Sequence, residues 1–233
     1  MDELFKKLSE DIRFQEGLSA CINCRTCTAI CPAAQFYNYD PRIIADTLQH
    51  HDEQELDALL KSDQIWMCGE CLSCKTRCPR NNVPGYLIQA LRALSIETGL
   101  FVNSEKGRQQ LAIKRTVGEH ILAYGYCVHI DEIDTVMYPE QGPVWDWMRK
   151  NRVQVLNRLG AKYNQSTAGT LRKIPEESLN DLKKIFEVTG ANERFNQIEE
   201  YSEKKAADLG IQFDSGKDND YFRYVYSNEK NNI

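Results

Sequence analysis

Eight of the nine cysteines fall between Cys21 and Cys78, in two runs of the same spacing. The first run reads CINCRTCTAICP and holds Cys21, Cys24, Cys27 and Cys31 before Pro32. The second reads CGECLSCKTRCP and holds Cys68, Cys71, Cys74 and Cys78 before Pro79. Both are C-x2-C-x2-C-x3-C-P, and each cysteine of the second lies 47 residues after its counterpart, so the chain contains an internal repeat. A C-x2-C-x2-C loop can curl round an iron–sulfur cubane and offer one thiolate to each of three iron corners. The fourth ligand comes from elsewhere, and in two-cluster proteins with this run it serves the other cluster. The spacing therefore predicts two [4Fe–4S] clusters. One takes Cys21, Cys24, Cys27 and Cys78; the other takes Cys68, Cys71, Cys74 and Cys31. Zinc sites also use C-x2-C pairs, but as two pairs around one tetrahedral ion. A disulfide framework needs an oxidising compartment, which nothing in the chain indicates.

Other residues near the runs bear on the same chemistry. Arg25, Lys75, Arg77 and Arg80 lie in or beside the loops. They either offset the negative charge of a four-thiolate cluster, raising its potential, or face solvent and partners. Trp66 and Met67 abut Cys68, where they shield a cluster or simply pack. Cys127 falls outside both runs and is expected to be a core thiol, since free cysteine is among the most buried residue types. His50, His51, His120 and His129 form no ligand-spaced set with it, and no catalytic residue is predicted.

The elements that must position the cysteines read as almost all helix. Leu4, Phe5, Leu8 and Ile12 form an apolar stripe at helical spacing. Asp40-Pro41 pairs an N-cap residue with proline at the first helical position, and Ile43, Ile44 and Leu48 follow on one face. Leu56, Leu59 and Leu60 mark a further short helix, and another runs from Pro84 to a stop at Gly99. Later stripes end at Gly160, Gly190 and Gly210, separated by loops over 164–175 and 212–220. Amphipathic stripes of this kind are core-facing. Tyr221, Phe222, Tyr224 and Tyr226 crowd aromatics into a polar tail, which reads either as docking on a partner subunit or as folding back on this chain or fraying. The organisation expected is a cofactor domain over 1–100 and a helical extension over 101–233.

Bulk properties narrow the classes. The net charge of −5 argues against a nucleic-acid partner, whose binding surface would be basic. The start, MDELFKKLSEDI, lacks the apolar core of a signal peptide. The uncharged stretch from His120 to Ile130 is too short to span a membrane. The expectation is a soluble, cytoplasmic chain.

The two runs, with a helical insert of 36 residues between them, differ from a small bacterial ferredoxin. CINCRTCTAICPAA, YDPRIIADTL, DQIWMCGECLSCKTRCPR and VPGYLIQALRAL together resemble the α-helical two-cluster ferredoxin module of the heterodisulfide reductase C-subunit family (HdrC), over about residues 15–100. Succinate dehydrogenase iron–sulfur proteins share the module but add an N-terminal ferredoxin domain, and only twenty residues precede Cys21 here. Cys-Cys-Gly modules mark the catalytic B subunit, and this chain has no adjacent cysteines. The resemblance implies a mainly α fold and an electron relay between a flavin-containing A-like subunit and a cysteine-rich B-like subunit. It extends to long versions of the family in heterodisulfide-reductase-like complexes linked to sulfur oxidation, in which net flow is reversed. A free-standing two-cluster carrier is the alternative. An enzyme with its own substrate pocket is disfavoured, because no nucleophile–base pair or phosphate loop is visible.

Overall fold

Asp40 shows how the chain starts its helices. Its backbone is extended, its carboxylate accepts the Arg42 N–H at 2.9 Å, and Pro41 follows with no N–H to satisfy. Asp11 caps Arg13 in the same way, and Asp52 caps Gln54 and Glu55. The computed structural model describes residues 3–226, and among these there are helices, turns and loops but no strand. The fold is therefore mainly α, as the periodicity predicts.

Contacts divide the chain into two compact units. One comprises residues up to Gln110 together with those from Asn196 onward; the other is Leu111–Phe195. The first holds helices α1 (Glu3–Glu10), α2 (Ile12–Gly17), α3 (Thr26–Ile30), α4 (Pro41–Gln49), α5 (Glu53–Leu60) and α6 (Pro84–Glu97). Its core centres on α6, where Leu87, Ile88 and Leu91 have no exposed surface. Phe5, Leu8, Ile44, Leu48, Leu56 and Leu60 pack on the same core. Ser95 of α6 ties to α5 by donating to the Leu60 carbonyl at 2.8 Å. Ile12 departs from its expected stripe and is 61% exposed. The Asp11 cap breaks the helix there, so Ile12 opens α2 with a new phase.

The second unit contains α8 (Gln110–Ile113, apart from its first residue), the π-helical turn Lys114–Gly118, α9 (Glu119–Tyr124), α10 (Gly142–Lys150), α11 (Arg152–Arg158) and α12 (Glu176–Val188). Between α6 and α8 stands the short α7 (Glu105–Arg108), in the first unit. A small core of Ile130, Leu156, Ala161 and Tyr163 gathers Trp145, Met148 and Leu171. Cys127, expected in a core, is exposed. The left-handed Gly125 ends α9 just before it and turns the chain into an open loop.

The unit division falls within α13 (Ala191–Leu209) and departs from a simple split at residue 100. Gly99 explains part of this. It lies against the Tyr201 ring, where a Cβ would stand 2.4 Å away, and the Tyr201 hydroxyl donates to the Glu97 carbonyl at 3.3 Å. The expected partner-docking aromatics also return to their own chain. In α14 (Asp220–Tyr226), Tyr221, Phe222 and Val225 are buried, and the Arg108 guanidinium lies 5.4 Å from the Tyr224 ring centre. The end of the polar tail, 227–233, lies outside the described residues.

Candidate metal centre

The repeat seen in the sequence is also a repeat of backbone. Asn23 (φ 56°) and Arg25 (φ 63°) in the first loop are left-handed, as are Glu70 (φ 53°) and Leu72 (φ 56°) in the second. The two pairs are offset by the same 47 residues as the cysteines. Each such conformation costs a non-glycine residue about 1–2 kcal/mol, so it must be imposed from outside. Left-handed residues in a tight turn swing successive N–H groups inward and form concavities that bind anions, iron–sulfur centres among them. Consistent with this, the Glu70 N–H donates to Cys68 Sγ and the Asn82 N–H to Cys78 Sγ, both at 3.3 Å.

Helices impose the loop shapes. Over the first loop stands α4. Gln49 accepts the Cys21 N–H at 2.6 Å and donates back to the Cys21 carbonyl at 3.5 Å. Arg42 donates to the Asn23 side-chain oxygen at 2.9 Å, and Asp46 accepts the Asn23 amide at 2.8 Å. The Thr28 hydroxyl bonds to the Asp40 carboxylate. Over the second loop stands α6. Arg92 donates to the Ile65 and Cys68 carbonyls, each at 2.7 Å, and pairs with the Glu70 carboxylate. Gln89 donates to the same carboxylate at 3.1 Å. In both loops, then, an arginine from the following helix holds the residue two places after the first cysteine.

The exit of the second run is stitched to the entry of the first. The Val83 N–H donates to the Gly17 carbonyl at 2.8 Å, and the Asn82 side chain accepts the Ser19 N–H. One cavity is lined by Cys21, Cys24, Cys27 and Cys78, with Arg25, Arg42 and Arg80 in its wall. Of the other cysteines, Cys31 and Cys68 pack, as Cys21 does, against the core that contains Tyr39. Cys74 Sγ lies 3.9 Å from where a Cβ on Gly85 would stand, and Cys68 and Cys71 both act electrostatically on Cys74. Among the described residues no three His, Cys, Asp or Glu side chains converge as a single metal ion would require. A cubane takes one thiolate per corner, so its ligands ring a cavity, and the first set fits that arrangement.

Burial and hydrogen bonding split the thiols. Cys24 and Cys71 are exposed, and hydrogen bonds with Thr26 and Ser73 hold both below the ordinary thiol value. Thr26 and Ser73 are themselves repeat partners. Burial pushes the Cys27 thiol up to about 11, and raises Cys68 and Cys74. For Asp40, burial works upward, but bonds from Thr28 and Arg42 outweigh it and hold the carboxyl below its usual value.

Three buried donors in this region have no well-formed hydrogen bond, the Tyr39 hydroxyl, the Arg42 Nε–H and the Trp66 indole N–H. Leaving such a group unpaired costs about 1–3 kcal/mol. Burial first, then the Cys68, Cys31 and Cys74 sulfurs, push the Tyr39 hydroxyl well above the ordinary tyrosine value.

Of the basic residues singled out, Arg25, Lys75, Arg77 and Arg80 are all exposed. Arg25 and Arg80 line the first cavity, while Lys75 lies 5.1 Å from the centre of the Tyr86 ring. Trp66 and Met67 pack against the core. His120 and His129 are buried in the second unit, away from the cysteine loops in sequence. The sequence reading missed Arg42, Gln49 and Arg92. The signal for them was Asn23 and Glu70, polar residues at equivalent repeat positions that need tethering.

Residues 17–82 match the family described as a 4Fe-4S dicluster domain, and all eight motif cysteines fall inside that match. The cysteine region is thus similar to an iron–sulfur domain of the dicluster kind. The C subunit of the ferredoxin:CoB–CoM heterodisulfide reductase of Methanosarcina acetivorans is 34% identical over 164 residues, 70% of this chain and 62% of that protein. The iron–sulfur C subunit of the CoB–CoM heterodisulfide reductase of Methanopyrus kandleri is 32% identical over 139 residues, 58% of this chain and 66% of that protein. A second M. acetivorans protein, the C subunit of the ferredoxin/F(420)H(2)-dependent CoB–CoM heterodisulfide reductase, is 31% identical over 134 residues, 56% of this chain and 71% of its own length. This chain belongs to the heterodisulfide reductase C-subunit family. It spans less than two thirds of the length of the first two relatives. Among the described residues no helix is long and apolar enough to cross a membrane.

Proposed function

We propose that the chain is an electron-transfer component of a heterodisulfide-reductase-like complex, relaying electrons between a flavin-containing A-like subunit and a cysteine-rich B-like subunit. Cys21, Cys24, Cys27 and Cys78 hold one [4Fe–4S] cluster, and Cys68, Cys71, Cys74 and Cys31 hold the other. The observation that carries this reading is the cavity that Cys78, from the second run, shares with three cysteines of the first. When bound, the clusters supply one-electron chemistry. The chain's own residues do the rest. The left-handed loops turn N–H groups toward the sulfurs, and α4 and α6 fix the loops. Exposed Cys24 and Cys71 put one ligand of each set at the surface, where a partner's redox centre can approach. Arg25 and Arg80 offset negative charge at the first cavity. The role within a complex follows the names of the relatives, each the C subunit of its reductase. The variant linked to sulfur oxidation rests on chain length alone, and these relatives lend it no support.

The test is purification of the native assembly with cofactor analysis of its partners. A large complex containing flavin and a further cysteine-rich iron–sulfur chain is expected. A free monomer would favour a diffusible carrier, and disulfide turnover by the isolated chain would favour an enzyme.

A further inference from the structure

Tyr39 sits where an electron-carrying centre would feel it. It is 4% exposed and belongs to the apolar core against which Cys31 and Cys68 pack. Its position is fixed from both sides. Its N–H donates to the Tyr37 carbonyl at 2.8 Å, and Asp40 follows as the cap of α4. Its hydroxyl is buried and makes no well-formed hydrogen bond, and the neighbour it interacts with is the Cys68 sulfur. The groups that act on that hydroxyl are three sulfurs, with Cys68 the strongest, then Cys31 and Cys74. All three belong to one proposed ligand set, two from the second run and one exchanged from the first. The first cavity has no tyrosine in its wall.

Buried hydroxyls are in the large majority hydrogen-bonded, so one without a well-formed bond points to an acceptor supplied in the functional state. An apolar wall offers too few polar groups to keep a bridging water, which needs two to four. We infer that the Tyr39 hydroxyl donates a hydrogen bond to a sulfur of the centre held by Cys31, Cys68, Cys71 and Cys74, and sets that centre at a higher reduction potential than it would otherwise have. The inference rests on that ligand set being correct. Adding one electron makes the sulfurs more negative, and a hydrogen bond to a more negative acceptor is stronger. The bond therefore favours the reduced form, and burial leaves the effect unscreened by water. Tyr39 acts through the ligands, as a positioning and tuning residue. No proton leaves it.

The experiment uses the full chain, loaded anaerobically with iron and sulfide and titrated under EPR. Cys68→Ser identifies the signal of the second set. Tyr39→Phe should lower the potential of that signal, changing its reduced-to-oxidised ratio at fixed potential by about tenfold, or about 59 mV for one electron. The other signal should not move, and neither should move in Tyr37→Phe, whose ring is exposed. A loaded Tyr39→Phe protein with both potentials unchanged, or with only the other signal shifted, overturns the inference. If the variant loads poorly, tyrosine labelled with oxygen-17 at the hydroxyl decides the matter in the unmutated chain. A hyperfine coupling to the second signal supports the bond, and its absence overturns it. Failure of the unmutated chain to take up iron at all would instead bring down the ligand assignment, and this inference with it.

Discussion

In the first cysteine loop Asn23 and Arg25 are left-handed and Arg42 reaches back to Asn23; in the second, Glu70 and Leu72 are left-handed and Arg92 reaches back to Glu70. The backbone and the tethering plan are the same. The surroundings are not. Arg42 gives the first loop one bond to a neutral amide and shares Asp40 with the helix cap. Arg92 binds two carbonyls and a carboxylate at once, and its guanidinium lies 5.5 Å from the Trp66 ring centre. The apolar core lies behind Cys21 of the first run as well as behind Cys31 and Cys68, but the first cavity is walled by arginines, whereas the buried Tyr39 interacts with Cys68. A repeat can conserve the geometry that grips a cofactor while the helices behind each copy make the two sites chemically different. For a relay, two unlike sites are more useful than two equal ones, because a potential difference gives the electron a direction.

The largest test of the comparison is the exchange of fourth ligands. Cys78→Ala should remove the cluster of Cys21, Cys24 and Cys27, and Cys31→Ala that of Cys68, Cys71 and Cys74. Each variant should retain about four irons instead of about eight, read by iron analysis and EPR. If Cys78→Ala perturbs the signal altered by Cys71→Ser, each run keeps its own fourth cysteine and the interlocked picture fails.

The tethers come next. Arg92→Ala removes charge-assisted bonds to three acceptors and should destabilise the iron-loaded chain by about 2–4 kcal/mol. Arg42→Ala should cost about 1 kcal/mol. Denaturant unfolding of the two variants side by side checks this, and equal losses would mean the loops lean on their helices equally.

Backbone strain should separate the loops more finely. Arg25 is exposed, so Arg25→Gly releases a left-handed residue with little packing lost and should stabilise by about 0.5–1 kcal/mol. Leu72 is half-buried, its Cδ2 lying 2.7 Å from where a Cβ on Gly85 would stand. Leu72→Gly should therefore gain nothing net. Thermal melts in which both glycines stabilise alike would contradict the packing difference.

The smallest effect expected is with acid. The folded Asp40 carboxyl is held below its unfolded value of about 3.9. Its contribution is therefore complete above that value and is lost as pH falls through the lower folded one. Stability measured in urea between pH 6 and pH 3 (approximate limits chosen around the carboxylate range) should fall, and Asp40→Asn should flatten part of that fall.

Much of this was legible without coordinates. The cysteine spacing pointed to iron–sulfur chemistry, which the match to a 4Fe-4S dicluster domain supports, because thiolates at that interval suit few other centres. Asp40-Pro41 and Gly99 marked helix ends, because capping and left-handed backbone are local chemistry. Cys127, Ile12 and the tail aromatics read differently in the structure, because burial depends on what packs against a residue and not on its type.

By itself, then, the sequence determined the helical class, the two cysteine runs and their 47-residue repeat, all written in local spacing. Only the tertiary structure decided which cysteines share a cavity, and that Gln49, Arg42 and Arg92 reach across 28, 19 and 24 residues to grip the loops. It alone showed Tyr39 buried in the core against which Cys31 and Cys68, from different runs, pack. Those pairings are long-range, and only the packing of α4 and α6 on a common core brings such distant residues together.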